Sequence, residues 1–200
     1  MSKRLRIVAS FCGLGFFLLV VAVQSLLEPS YDLLRQQISE FAHTSDGPLL
    51  LAGFLVWGAS LLLLAGLITH APTRRGAILV EVVALLSAAF GLLLITCFAT
   101  DRGVEVAGTV TDRTVTGRIH DASSAVISVS ILVAVVADAF RERSAGLACI
   151  VISVAVTSSA VLFSLGDPLP GLRQRCLVGC ACLWQAVVLW RLWRLSPTLV

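Results

Sequence analysis

Apolar residues run through this chain in six blocks, at 7–27, 49–69, 76–97, 122–139, 145–165 and 176–193, with polar and breaker residues gathered between them. At about 1.5 Å of rise per residue, a helix over any one of these blocks covers roughly the 30 Å of a bilayer's hydrocarbon. The pattern predicts an all-α, polytopic integral membrane bundle of six helices, forming a single domain over residues 1–200. The first block follows "MSKRLR" and is longer than the roughly 7 to 15 apolar residues of a signal-peptide core, so it is expected to remain as an anchor.

The polar segments are uneven. "EPSYDLLRQQISEFAHTSDGP", between the first two blocks, is too long for a turn between neighbouring helices. With Ser30 as a cap, a helix from Tyr31 would gather Tyr31, Leu34, Ile38 and Phe41 on one side and Gln36, Glu40 and His43 on the other. A short amphipathic helix at the membrane surface is the expectation. Ser45 and Asp46 are expected to cap the second span, with Gly47 and Pro48 in its first turn.

The segment "FATDRGVEVAGTVTDRTVTGRIHD" alternates valine with polar residues from Val104 to Val110, which predicts extended chain, and then offers Thr111 or Asp112 as a helix start. The fourth helix is therefore expected to begin before His120. On it, His120, Asp121, Ser124 and Ser128 fall within a sector of about 100°, a polar stripe that must face the bundle interior because lipid would not tolerate it.

Composition closes off whole classes of function. A chain 58% hydrophobic and 14% charged, with mean hydropathy +0.95, has too little polar surface to cover a water-soluble domain. The net charge of +3 is spread thinly, without the basic runs and interleaved aromatics that grip nucleic acid, so no nucleic-acid partner is expected. The six cysteines lie in or beside apolar blocks, which favours packing over a disulfide framework or a thiol site.

Charge distribution also sets orientation. Lys3, Arg4, Arg6, Arg74, Arg75, Arg141, Arg143, Arg191 and Arg194 would lie inside if the N-terminus is inside, against Arg35, Arg102, Arg113, Arg118, Arg173 and Arg175 outside. This bias predicts a multi-pass protein of the plasma membrane with both termini cytoplasmic. The long, acid-bearing segments then form an outer working face.

Four pieces of the chain, "QISEFAHTSDGPLLLAGFLVWG", "FATDR", "TGRIHDASSA" and "GLRQRCLVG", resemble the recurring segments of the domain of unknown function 998 family of small prokaryotic multi-pass membrane proteins. The resemblance spans nearly the whole chain. Its most specific parts are the Gly-x-x-His element, Gly117 to His120, and the Ile-Ser-Glu element at Ile38, Ser39 and Glu40. It implies a six-helix membrane fold and carries no established reaction, ligand or catalytic residue.

Candidate chemistry gathers at the outer ends, where Glu40, His43, Asp46, Asp101, His120, Asp121 and Asp167 are all expected. Glu40 and His43, three apart on one helical face, make half of a metal site that His120 would complete; a divalent ion such as zinc would activate water there. Without metal, His120 is the candidate general base, with His43 and Glu40 beside it. Ser39, Asp101, Arg118, Asp121 and Ser124 are the expected pocket residues. A plainer reading makes Asp46, Asp112 and Asp121 helix caps and lets the outer arginines pair with acids or lipid phosphates.

Glu81 and Asp138 stand near the inner ends of the third and fourth spans. They are expected to pair with Arg74, Arg75 or Arg141; lying deep, they would instead suggest proton coupling. The leading functional expectation is a small protein that contacts membrane lipids and binds or processes a lipid-like, amphipathic ligand in an outward-facing pocket. The alternatives are a non-enzymatic scaffold that binds a partner protein and a proton-coupled small transporter.

Overall fold

The computed structural model describes residues 1–28, 31–70, 75–101, 114–142, 153–154 and 169–196. Five long helices form where the apolar blocks lie: α1 (Lys3–Leu27), α2 (Gly47–Ile68), α3 (Arg75–Cys97), α4 (Val115–Arg141) and α5 (Pro170–Arg194). All five are long and apolar enough to cross a membrane, and among the described residues there is no strand. The chain is a multi-pass helical membrane protein. The predicted span at 145–165 lies outside the described residues except for Ser153 and Val154, which are helical. The predicted extended chain at Val104–Val110 and the helix start at Thr111 or Asp112 also lie outside them.

Helix starts follow local chemistry. Ser2 caps α1 by accepting from the Leu5 amide at 3.3 Å, and Thr114 caps α4 by accepting from the Gly117 amide at 3.0 Å. Proline occupies the first turns of α2 and α5, where its missing N–H costs nothing. Asp46 holds the N-cap position of α2 without a side-chain capping bond; its backbone carbonyl instead accepts from Gln24 Nε2 at 2.8 Å, tying the end of α1 to the start of α2.

Successive helices pack side by side, α1 on α2, α2 on α3 and α3 on α4, while α5 returns to pack on α1 and touch α4. Lipid tails are as apolar as leucine, so close backbone approach and interhelical hydrogen bonds must supply the cohesion. Gly13 lets α1 settle against Ser60 and Val56 of α2, and Gly91 lets α3 settle against Ile127 and Ser123 of α4. Phe17 stacks on Trp57 with ring centroids 4.5 Å apart.

Within the bundle, Gln185 of α5 accepts from Trp57 Nε1 at 3.0 Å and donates to Ser60 Oγ at 2.9 Å, while Ser10 Oγ donates to the Ser60 carbonyl at 2.8 Å. One buried amide thus binds α5 to α2, and α1 joins the same cluster through Ser10.

The first long loop departs from the expected helix. Residues 33–35 form a turn, and only Ile38–His43 is helical, as a 3-10 helix. The cause is competition for backbone groups. Asp32 Oδ1 accepts from the Leu34 and Arg35 amides, an Asx-type turn that interrupts an α-helix. Helix α5 then takes what remains: the Leu172 amide donates to the Leu34 carbonyl at 2.9 Å, and Arg175 donates to the carbonyls of Leu33 and Gln36. The predicted apolar side is kept in part, with Ile38 and Phe41 buried and Tyr31 stacked on Phe41, but Leu34 is exposed.

Candidate functional site

The end of the bundle that carries this loop is assembled from four short segments. Glu40 Oε1 accepts from the Gln37 amide at 2.9 Å, closing a capping box on the 3-10 helix. Gln174 Oε1 accepts from the Ile38 amide at 2.5 Å, fixing that helix to the first turns of α5. A Cβ on Gly171 would collide with the Gln36 carbonyl, so only glycine lets α5 come this close to the loop.

The Gly-x-x-His element has a comparable explanation. After α3, the Asp101 carboxylate folds over the start of α4, accepting from the Thr114 amide at 3.0 Å and from Thr114 Oγ1 at 2.6 Å. Any Cβ on Gly117 would overlap that carboxylate. One turn on, His120 Nδ1 donates to the Phe98 carbonyl at 2.9 Å, and His43 Nε2 donates to the Thr100 carbonyl at 2.5 Å. Carbonyl oxygens only accept, so each of these ring nitrogens carries the hydrogen.

Below this cap lies a partly open cavity of about 60 Å³, several times the roughly 10–15 Å³ a single water needs. Its walls include Phe54 and Trp57 of α2, Leu92 of α3, Ile127 of α4, and Leu177 and Val178 of α5. The polar contributions come from Ser39, His120, Ser124, Ser128 and Gln174. No lysine or arginine is among the described lining residues. Ser124 and Ser128 continue down α4 from His120, so three of the four residues of the predicted polar stripe line the cavity, while Asp121 does not. Ser128 Oγ donates to the Ser124 carbonyl of its own helix.

Two polar atoms at this cavity have no protein partner. His120 is 3% exposed and Ser39 is 2% exposed, yet His120 Nε2 and Ser39 Oγ are both buried without a hydrogen bond. They are not bonded to each other either, so Ser39 is not an activated nucleophile in this arrangement.

The other expected site residues are placed elsewhere. Glu40 is occupied by the capping box, His43 by the Thr100 carbonyl and Asp101 by Thr114. Arg118 is exposed, and Asp121 is half-buried outside the cavity lining. Asp167 lies outside the described residues. Among the described residues, no three His, Cys, Asp or Glu side chains gather closely enough to hold a metal ion, the set of Glu40, His43 and His120 included. Sequence reasoning overlooked Gln174, whose only local signal is a neutral polar residue in the first turns of an apolar helix.

At the far end of the bundle the charges are paired. Arg141 donates to Glu81 Oε2 at 2.7 Å, to Asp138 Oδ1 at 2.6 Å and to Glu142 Oε1 at 2.5 Å. Asp138 also accepts from Trp184 Nε1 at 3.2 Å and from Arg191. Of the arginines expected to pair with the two acids, Arg141 does so, joined by Arg191. This cluster welds α3, α4 and α5 together, about 27 Å along α4 from His120 at the helical rise.

A bundle with five described helices long and apolar enough to cross a membrane, and a cavity near one end, belongs to the class of multi-pass helical membrane proteins. The family described as "Protein of unknown function (DUF998)" matches residues 11–191, and the chain belongs to it. No curated protein and no solved structure matches the chain.

Proposed function

We propose that this protein binds a small amphipathic ligand inside the membrane, with the ligand's polar end at His120 and Ser39 and its apolar part against Phe54, Leu92, Ile127 and Leu177. The observation that supports this reading is the pair of buried, unpartnered atoms at a cavity whose walls are mostly apolar. A buried polar group without a partner costs about 1–3 kcal/mol, and at this cavity a ligand's polar end could recover that cost for both groups. With the N-terminus on the cytoplasmic side of the plasma membrane, as the Lys and Arg distribution favours, the cavity lies in the outer leaflet.

Proton-coupled transport draws less support, because its candidate acids, Glu81 and Asp138, are engaged by Arg141 and Arg191 far from the cavity. A role as a scaffold for a partner protein finds no specific feature in its favour.

The test is lipid mass spectrometry on protein extracted in a mild detergent. Ser128→Leu places a larger apolar side chain in the cavity and removes only a bond within α4. A co-purifying amphiphile present with the wild type and depleted with Ser128→Leu of equal thermal stability is the expected result. An identical lipid profile for both proteins would overturn the reading.

A further inference from the structure

The hydrogen bonds around His120 restrict what the ligand's polar end can be. His120 Nδ1 is committed as a donor to the Phe98 carbonyl. In the neutral ring the other nitrogen, Nε2, is then a bare acceptor, and it is this atom that lies buried and unpartnered at the cavity. An acceptor needs a donor. Esters, ethers and carboxylates present only lone pairs to it, so they leave Nε2 unsatisfied.

Ser39 Oγ, the second unpartnered atom, can donate or accept. Charge narrows the choice further: among the described lining residues no lysine or arginine would offset an anion, and no aspartate or glutamate would offset an ammonium. A hydroxyl meets all of these conditions at once. It donates to His120 Nε2, accepts from Ser39 Oγ, and carries no charge.

We propose that the ligand is a neutral lipid alcohol, an uncharged amphiphile whose hydroxyl bridges His120 Nε2 and Ser39 Oγ while its chain lies along the apolar wall. This inference rests on the binding reading above and assigns the ligand class to the same cavity.

The experiment uses the full chain in phosphatidylcholine nanodiscs, with binding read by native mass spectrometry. The probes are oleyl alcohol, its methyl ether and oleate, which share one chain and differ in the head: donor, neutral acceptor and anionic acceptor. The expected result is a preference of about tenfold or more for the alcohol over the ether, the effect of one hydrogen bond left unmade at a buried site.

His120→Asn is the informative variant. An asparagine amide nitrogen can take over the bond from Nδ1 to the Phe98 carbonyl but puts nothing at the place of Nε2. The variant should keep wild-type thermal stability and lose the preference for the alcohol. Ser39→Ala should weaken binding of the alcohol and the ether alike, since both accept from Ser39 Oγ, and leave the preference for the alcohol in place.

Equal binding of alcohol and ether, tighter binding of oleate, or an undiminished preference in His120→Asn would overturn the assignment while leaving the cavity a binding site. Failure of all three probes to bind the wild type, or binding that Ser128→Leu leaves unchanged, would overturn the cavity reading and the ligand class with it.

Discussion

His43 and His120 hold the same few residues of chain: His43 on the Thr100 carbonyl and His120 on the Phe98 carbonyl, two positions apart just beyond the end of α3. Both histidines therefore have a structural task, and only His120 has a second nitrogen left buried and unpartnered at the cavity. This asymmetry separates two residues that sequence alone placed in one catalytic group.

The separation is measurable. Replacing either histidine by alanine removes one backbone-anchoring hydrogen bond, and each variant should lose about 1 kcal/mol of stability in detergent unfolding. His43→Ala should nevertheless keep the co-purifying amphiphile that His120→Ala loses. Loss of the ligand in both variants to the same degree would mean that the 97–101 segment, rather than the imidazole, governs binding.

Gly117 faces a side chain, whereas Gly171 faces backbone, and this predicts unequal penalties. In Gly117→Ala the new methyl group displaces the Asp101 carboxylate from Thr114, costing the two hydrogen bonds of that cap, about 1–3 kcal/mol. The same substitution in an Asp101→Ala background should then cost much less, since the group it displaces is gone. Strictly additive losses in thermal unfolding of the four proteins would show that the two residues are not coupled.

In Gly171→Ala the methyl group meets the Gln36 carbonyl, and no side-chain rotation relieves it. The loop must lift from α5, taking with it the bonds of Leu172, Gln174 and Arg175. Hydrogen exchange over residues 31–43 should accelerate in this variant and remain slow in Gly117→Ala. Equal protection of the loop in both would contradict the packing.

What was readable in advance divides along physical lines. Hydropathy located the five described long helices because about 20 apolar residues have few alternatives to crossing a membrane. Helical spacing placed His120, Asp121, Ser124 and Ser128 on one face, and all but Asp121 line the cavity; that periodicity is local information. The loop at 31–43 was misread as a longer helix because what breaks it is partly remote: Arg175 and Gln174 lie about 140 residues away in the chain, and no pattern within the loop announces them. The grouping of Glu40 with His43 and His120 failed for a related reason. Spacing shows which side chains share a face, but not that a carboxylate will turn back to its own helix amide or that an imidazole will be consumed by a carbonyl.

Arg141 gives the sharpest test of the far end. Its guanidinium is the only arginine bonded to both Glu81 and Asp138 among the described residues, and both carboxylates are fully buried. Arg141→Met would leave two acids buried with Arg191 as the one remaining guanidinium bonded to them among the described residues. Removing one partner of a buried ionic group typically costs about 3–5 kcal/mol, far more than the net worth of the pair, because the remaining charge has no solvent. The variant should therefore express poorly or unfold at much lower temperature. Adding Glu81→Gln removes one of the stranded charges, while Asp138 keeps Arg191 and Trp184, so the double variant Glu81→Gln, Arg141→Met should be more stable than Arg141→Met alone. A double variant less stable than the single one would mean that Arg141 holds the helices by packing rather than by charge. Because the cluster lies far from the cavity, ligand retained per folded molecule should be the same in the double variant as in the wild type.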